Sequence, residues 1–82
     1  MKKTNNKEIL SNPIDKNIKE IKNHRKTAVY LQIAAKSHLE AAMYHQKGHH
    51  EKAAQSTIVA IANFNLASKT QRKDLNLHST DG

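Results

Sequence analysis

Gly48 stands between two stretches of helical periodicity, and it is the only glycine before the last residue of the chain. The segment from Ala41 to Ala60 therefore predicts a helix, a tight turn at Gly48 and a second helix. A connection this short makes the two helices antiparallel neighbours. The sequence predicts an all-α fold built on one helical hairpin.

The start of the first helix is marked by Asn12 and Pro13. Asn can cap free backbone amides, and Pro is preorganised at the first helical position. We expect helix 1 over about residues 13–47 and helix 2 over about 49–74. An alternative is a break in helix 1 at 23–27, where polar residues interrupt the pattern. The predicted organisation is a mobile basic arm at 1–11, the hairpin at 12–75 and a frayed tail at 76–82.

Apolar side chains recur along both helices at spacings of three and four, which predicts buried helical faces. The helix 1 stripe consists of Ile14, Ile18, Ile21, Arg25, Ala28, Gln32, Ala35, Leu39 and Ala42. Helix 2 carries one stripe of Ala54, Ile58, Ile61, Asn65, Ser68, Arg72 and Leu75, and beside it Ala53, Thr57, Ala60, Phe64 and Ala67. The apolar surface exceeds what one hairpin can cover, so we expect a homodimer that forms a four-helix bundle.

One repeat of a known family is similar to the turn region. Residues 41–60 resemble a single tetratricopeptide-repeat hairpin at Ala41, Tyr44, Gly48, His50, Ala53 and Ala60. The resemblance implies the hairpin geometry and not the peptide-binding groove, which needs stacked repeats. The chain also resembles small bacterial helical proteins rich in histidine and alanine, a resemblance that implies no activity.

Composition excludes several classes of protein. The 82 residues make one small domain and contain no cysteine, so disulfides and thiolate sites are absent. The basic start of the chain is not followed by an apolar stretch, so we expect neither a secretory signal nor a membrane span, and a cytoplasmic protein. No phosphate loop or nucleophile elbow accompanies Ser37, Ser56 or Ser68. We therefore expect a non-enzyme with no cofactor and no small-molecule substrate.

Histidines cluster around the turn and suggest an alternative function. His45, His49 and His50 could converge there with Glu51, and His38 lies two helical turns before His45. A zinc, nickel or copper ion would accept such ligands. The alternative metal site consists of His38, His45, His49 and His50. In the other interpretation His50 fills an aromatic packing position, His45 and His49 are exposed, and none binds metal.

Positive charge is concentrated at the open end of the predicted hairpin. The chain has 14 Lys and Arg against 7 Asp and Glu, a net charge of +7. Folding back at Gly48 places residue 74 beside roughly residue 22, which brings together Lys16, Lys19, Lys22, Arg25, Lys26, Lys69, Arg72 and Lys73. We expect this end to contact nucleic acid or a ribonucleoprotein, for example the ribosome, without reading sequence.

Two further alternatives concern other partners. A helical protein partner could dock on the apolar surface from Ile58 to Leu66, which would make the chain an adaptor or regulator. A membrane-surface function is weaker, because no exposed row of large apolar anchors accompanies the basic residues. The three aromatic residues, Tyr30, Tyr44 and Phe64, lie on apolar stripes and are expected in the core rather than stacked on bases.

Overall fold

The computed structural model describes residues 13–79, and the side chains of residues 14–75 within that range. Helix α1 spans Pro13–Gln46 and helix α2 spans His50–Ser79. The two helices pack against each other in one antiparallel layer, and the principal extents are 63 × 25 × 14 Å. The predicted all-α hairpin is confirmed.

The helix bounds follow the sequence signals closely. Helix α1 begins at Pro13 and continues unbroken through 23–27, where the Thr27 hydroxyl donates to the Asn23 carbonyl over 2.8 Å. Helix α2 begins at His50 and continues to Ser79, beyond the predicted end at residue 74. The predicted arm at 1–11, the cap at Asn12 and residues 80–82 of the predicted tail lie outside the described residues.

The turn ends α1 through two backbone hydrogen bonds. The amide of His49 donates to the carbonyl of Tyr44 over 2.8 Å, and the amide of Gly48 donates to the carbonyl of His45 over 3.1 Å. This pair of bonds is the Schellman motif, which requires a left-handed residue at the position of Gly48. Gly48 has φ +81°, and nothing lies within 4 Å of where a Cβ would stand. Backbone conformation, not space, therefore favours glycine here.

Small side chains form the contact between the helices. Among the side chains of residues 14–75, the buried apolar residues are all alanines, and buried threonine, serine and aspartate side chains continue the same rows. Buried and half-buried positions recur at alternating spacings of three and four, the heptad pattern of a two-stranded coiled coil. We call these positions the seam: Glu20, Asn23, Thr27, Tyr30, Ala34, Ser37, Ala41 and Tyr44 on α1, and Ala53, Ser56, Ala60, Asn63, Ala67, Thr70 and Asp74 on α2.

Three polar side chains of the seam form hydrogen bonds within their own helix. The Thr70 hydroxyl donates to the Leu66 carbonyl over 3.0 Å, as the Thr27 hydroxyl does to Asn23. The Asn63 amide donates to the Val59 carbonyl over 2.9 Å. Such bonds to the carbonyl four residues earlier let hydroxyl and amide groups enter a contact surface at little desolvation cost. The seam can therefore remain narrow and partly polar.

The large apolar side chains lie outside the seam. Every member of the stripe predicted on α1 is exposed, and Leu39 reaches 72%. The predicted burial of this stripe does not occur within the hairpin, because the helices meet instead through alanine, serine and threonine positions that allow a closer approach. On α2 the second predicted stripe is partly confirmed: Ala53, Ala60 and Ala67 are buried, whereas Phe64 is 57% exposed.

Candidate functional site

One broad side of the hairpin carries most of its lysines. Residues seven positions apart in a helix lie in one row along it. The rows on this side of the hairpin lie next to the seam on both helices. On this side a shallow cleft lies between the two helices and is lined by Ser37, Glu40, Tyr44, Lys52 and Val59. We call this side the lysine face, after Lys19, Lys22, Lys26, Lys36, Lys52, Lys69 and Lys73. Among the described side chains, its rows contain two acids, Asp15 and Glu40.

The opposite side carries no lysine, arginine, aspartate or glutamate among the described side chains of its rows. Two contacts join the helices along its edge of the seam: His45 Nδ1 lies 2.8 Å from His50 Nδ1, and His24 Nε2 lies 3.2 Å from Asp74 Oδ2. We call this side the histidine face. It consists of Ile14, Asn17, Ile21, His24, Ala28, Leu31, Ala35, His38, Ala42 and His45 on α1, and His50, Ala54, Thr57, Ile61, Phe64, Ser68, Gln71 and Leu75 on α2.

The predicted register of the open end is confirmed by the contact between His24 and Asp74. The eight basic residues predicted as a site do come to this end, but they do not form one cluster. Lys19, Lys22, Lys26, Lys69 and Lys73 belong to the lysine face. Arg25 and Arg72 lie on the outer edges of the hairpin, farthest from the seam, and Lys16 lies half-buried in the seam row. Arginines and lysines that are adjacent in sequence therefore point in different directions.

The lysine face also has an apolar middle. Val29, Ile33, Met43, Val59 and Leu66 lie on it with 39 to 50% of their surface exposed. Near the open end, the stem of Lys26 lines a shallow depression together with Arg25, Val29 and Tyr30. Long lysine stems commonly cover apolar surface in this way while the ammonium remains in water. A partner on this face meets positive charge toward the open end and apolar side chains in the middle.

The surface proposed for a helical protein partner is divided by this geometry. Val59 and Leu66 lie on the lysine face, Ile61 and Phe64 on the histidine face, and Ile58 on the outer edge of α2. All five are exposed. The segment from Ile58 to Leu66 is therefore not one docking face but contributes to three surfaces.

The four histidines of the alternative metal site do not converge. His45 and His50 pair through their Nδ1 atoms, with ring centroids 5.0 Å apart. His49 instead meets the ring of Tyr44 edge to face at 6.5 Å, and His38 lies two turns along α1. Among residues 13–79, no group of three or more histidine, aspartate or glutamate side chains is arranged to hold a metal ion. His50 is exposed and does not fill an aromatic packing position.

The three aromatic residues lie in two different environments. Tyr30 and Tyr44 are half-buried in the seam, as expected, while Phe64 is exposed on the histidine face. The Lys52 ammonium lies 5.9 Å from the centroid of the Tyr44 ring, a cation–π distance. Tyr44 is thereby held between His49 and Lys52, so it supports the turn and does not present a free stacking surface.

Two lysines of the lysine face were missed by the sequence interpretation, Lys36 and Lys52. Their signal is the heptad spacing: Lys36 lies two heptads after Lys22, and Lys52 lies three heptads before Lys73. Once the seam is known, this spacing places each pair in one row.

No family model, no curated protein and no solved structure matches this chain. The similarity to a tetratricopeptide-repeat hairpin stays a prediction. Neither of the two described helices has the length and apolar character needed to cross a membrane.

Proposed function

We propose that this chain is a non-catalytic cytoplasmic binding protein that contacts the phosphate backbone of nucleic acid, free or in a ribonucleoprotein such as the ribosome, through its lysine face. The observation that carries the proposal is the segregation of charge. Seven lysines share one face with two acids, and the opposite face has no fixed charge among the described side chains. A surface with this excess of positive charge attracts anionic partners by long-range electrostatics.

Lysines suit a phosphate backbone when they are spaced along a helix. Lys19, Lys22 and Lys26 recur at three and four residues on α1, so their stems leave the helix in neighbouring turns. Lys69 and Lys73 lie on the same side of α2 at the same end of the hairpin. Each contact with a phosphate releases condensed counterions, so affinity built this way falls steeply with added salt.

The same face has little capacity to read bases. A lysine ammonium offers donors in no fixed plane, whereas base discrimination depends mostly on two groups held in one plane: two donors in Arg, or one donor and one acceptor in Asn and Gln. The two arginines of the open end lie on the outer edges. We therefore expect binding to mixed-sequence nucleic acid with weak dependence on sequence.

Fluorescence anisotropy with mixed-sequence RNA and duplex DNA tests this proposal. The salt concentration is varied from about 20 to 300 mM, roughly one decade in ionic strength. Two double variants form a matched pair: Lys26→Gln with Lys73→Gln on the lysine face, and Arg25→Gln with Arg72→Gln on the outer edges. Each pair removes two positive charges from adjacent positions of the same two helices. The net charge is therefore equal in the two variants.

We expect the lysine variant to lose roughly tenfold in affinity at low salt and to reduce the salt slope by about two, because two phosphate contacts are gone. The arginine variant should lose about threefold at most, through the general field alone. Equal losses in the two variants would contradict the lysine face as the site. Absence of binding by the unmodified chain at low salt would end the proposal.

A further inference from the structure

We propose that the histidine face is the surface on which a second copy of this chain packs, giving a four-helix dimer whose two lysine faces point outward on opposite sides. The inference does not depend on what the lysine face binds. The apolar residues of the sequence predict a dimer but not the surface that forms it. The proposal assigns that surface to the histidine face.

The hairpin needs an additional partner because its seam buries little. The apolar core consists of Ala34, Ala41, Ala53, Ala60 and Ala67, and no large side chain described is fully buried. Each methyl or methylene group removed from water contributes about 0.8 kcal/mol, so alanines contribute little compared with leucine or phenylalanine. Ordering the backbone costs about 1 to 2 kcal/mol per residue. The larger apolar groups that could offset this cost lie on the surface.

Charge decides which side a second copy can cover. The chain has a net charge of +7, so two copies repel each other in most orientations. Contact through the lysine faces would bring fourteen lysines together, seven from each copy, against four acids. Contact through the histidine faces brings together no lysine or arginine among the described side chains of those rows and places the lysines on the two outer surfaces. The second arrangement has the smaller electrostatic cost.

The area of the histidine face is sufficient for a stable dimer. From Ile21 to His45, α1 extends about 36 Å at 1.5 Å per residue. Two packed helices, each about 10 Å in diameter with side chains, present a face about 20 Å across. The footprint is therefore about 700 Å², within the roughly 600 to 1,000 Å² that a specific interface takes from each partner.

The side chains of this face alternate in size in a way that suits packing between copies. Ala28, Ala35, Ala42 and Ala54 are exposed and leave shallow space along the helices. Large exposed groups lie beside them: Leu31 at 40%, Ile61 at 52% and Phe64 at 57%. Large side chains of one copy can enter the space above the alanines of the other, as facing layers of a helical bundle do.

Sedimentation equilibrium of a matched pair of variants tests the assignment. Protein concentrations of about 5 to 200 µM cover a range of roughly 2 kcal/mol in association free energy. Ile61→Lys with Phe64→Lys adds charge to the histidine face, and Val59→Lys with Leu66→Lys adds the same charge to the lysine face. We expect the unmodified chain to form a dimer. The dissociation constant of the dimer should rise by about tenfold or less for the lysine-face variant and by about 100-fold or more for the histidine-face variant. A monomer at 200 µM, or equal weakening in both variants, overturns the proposal.

Single cysteines provide a second test that does not depend on charged variants remaining folded. The chain contains no cysteine, so an introduced thiol reports one position only. Ala28→Cys, Ala35→Cys and Ala42→Cys sample the histidine face, and Ala62→Cys samples the lysine face. Treatment of each dimer with a short bismaleimide should give covalent dimers from at least one of the first three and fewer from Ala62→Cys. Preferential cross-linking through Ala62→Cys overturns the proposal.

Discussion

The lysine face and the histidine face are built by the same two helices and flank the same seam, yet they differ in charge and hardly at all in apolar exposure. Ile61 on the histidine face is 52% exposed, and Val59 on the lysine face is 45% exposed. The lysine face carries seven lysines, while the histidine face has no fixed charge among its described side chains. The comparison shows that charge, and not hydrophobicity, distinguishes the two surfaces of this hairpin.

The largest expected effect comes from the seam, which holds the two faces in their relative positions. Ala60 is 0% exposed, so Ala60→Leu inserts three carbon atoms where the helices meet. Overpacking of this kind costs about 1 to 3 kcal/mol, and we expect the upper part of that range because the facing residues are already small. Urea unfolding at one fixed protein concentration measures the change.

Ala62→Leu is the matched control for that variant. Ala62 lies two residues later on α2 and is exposed on the lysine face, so the same added side chain meets solvent. Its effect on the free energy of unfolding should remain within about 0.5 kcal/mol. A larger destabilisation by Ala62→Leu than by Ala60→Leu would contradict the placement of the seam, and with it the division into two faces.

The seam was harder to predict from the sequence than the turn. Pro13 and Gly48 predicted the start of α1 and the turn, because their backbone preferences act locally. The basic open end followed from that turn by simple folding back. The packed face of α1 was not predicted, since the stripe of Ile14, Ile18 and Ile21 dominates the hydrophobicity pattern while the buried apolar residues of the seam are alanines. Alanine, serine and threonine repeating at seven-residue intervals in both halves is the signal that could have found it.

The turn is expected to give the next effect in size. Gly48→Ala forces a residue with a Cβ into φ +81°, and nothing within 4 Å blocks the methyl group. The cost is therefore conformational, about 1 to 2 kcal/mol. Gly48→Asn should cost less, because asparagine adopts the left-handed region more readily. Urea unfolding of the three proteins checks the order, and an alanine variant as stable as the unmodified chain would mean that the turn relaxes.

The proposed division of function between the two faces is tested most directly by one set of methyl NMR spectra. Methyl groups of Val29, Ile33, Val59 and Leu66 report on the lysine face, and those of Ile21, Leu31 and Ile61 report on the histidine face. We expect added mixed-sequence RNA to shift the first set, and dilution of the protein below its dissociation constant to shift the second. If RNA and dilution shift the same methyl groups, the two faces do not have separate functions and the account is contradicted.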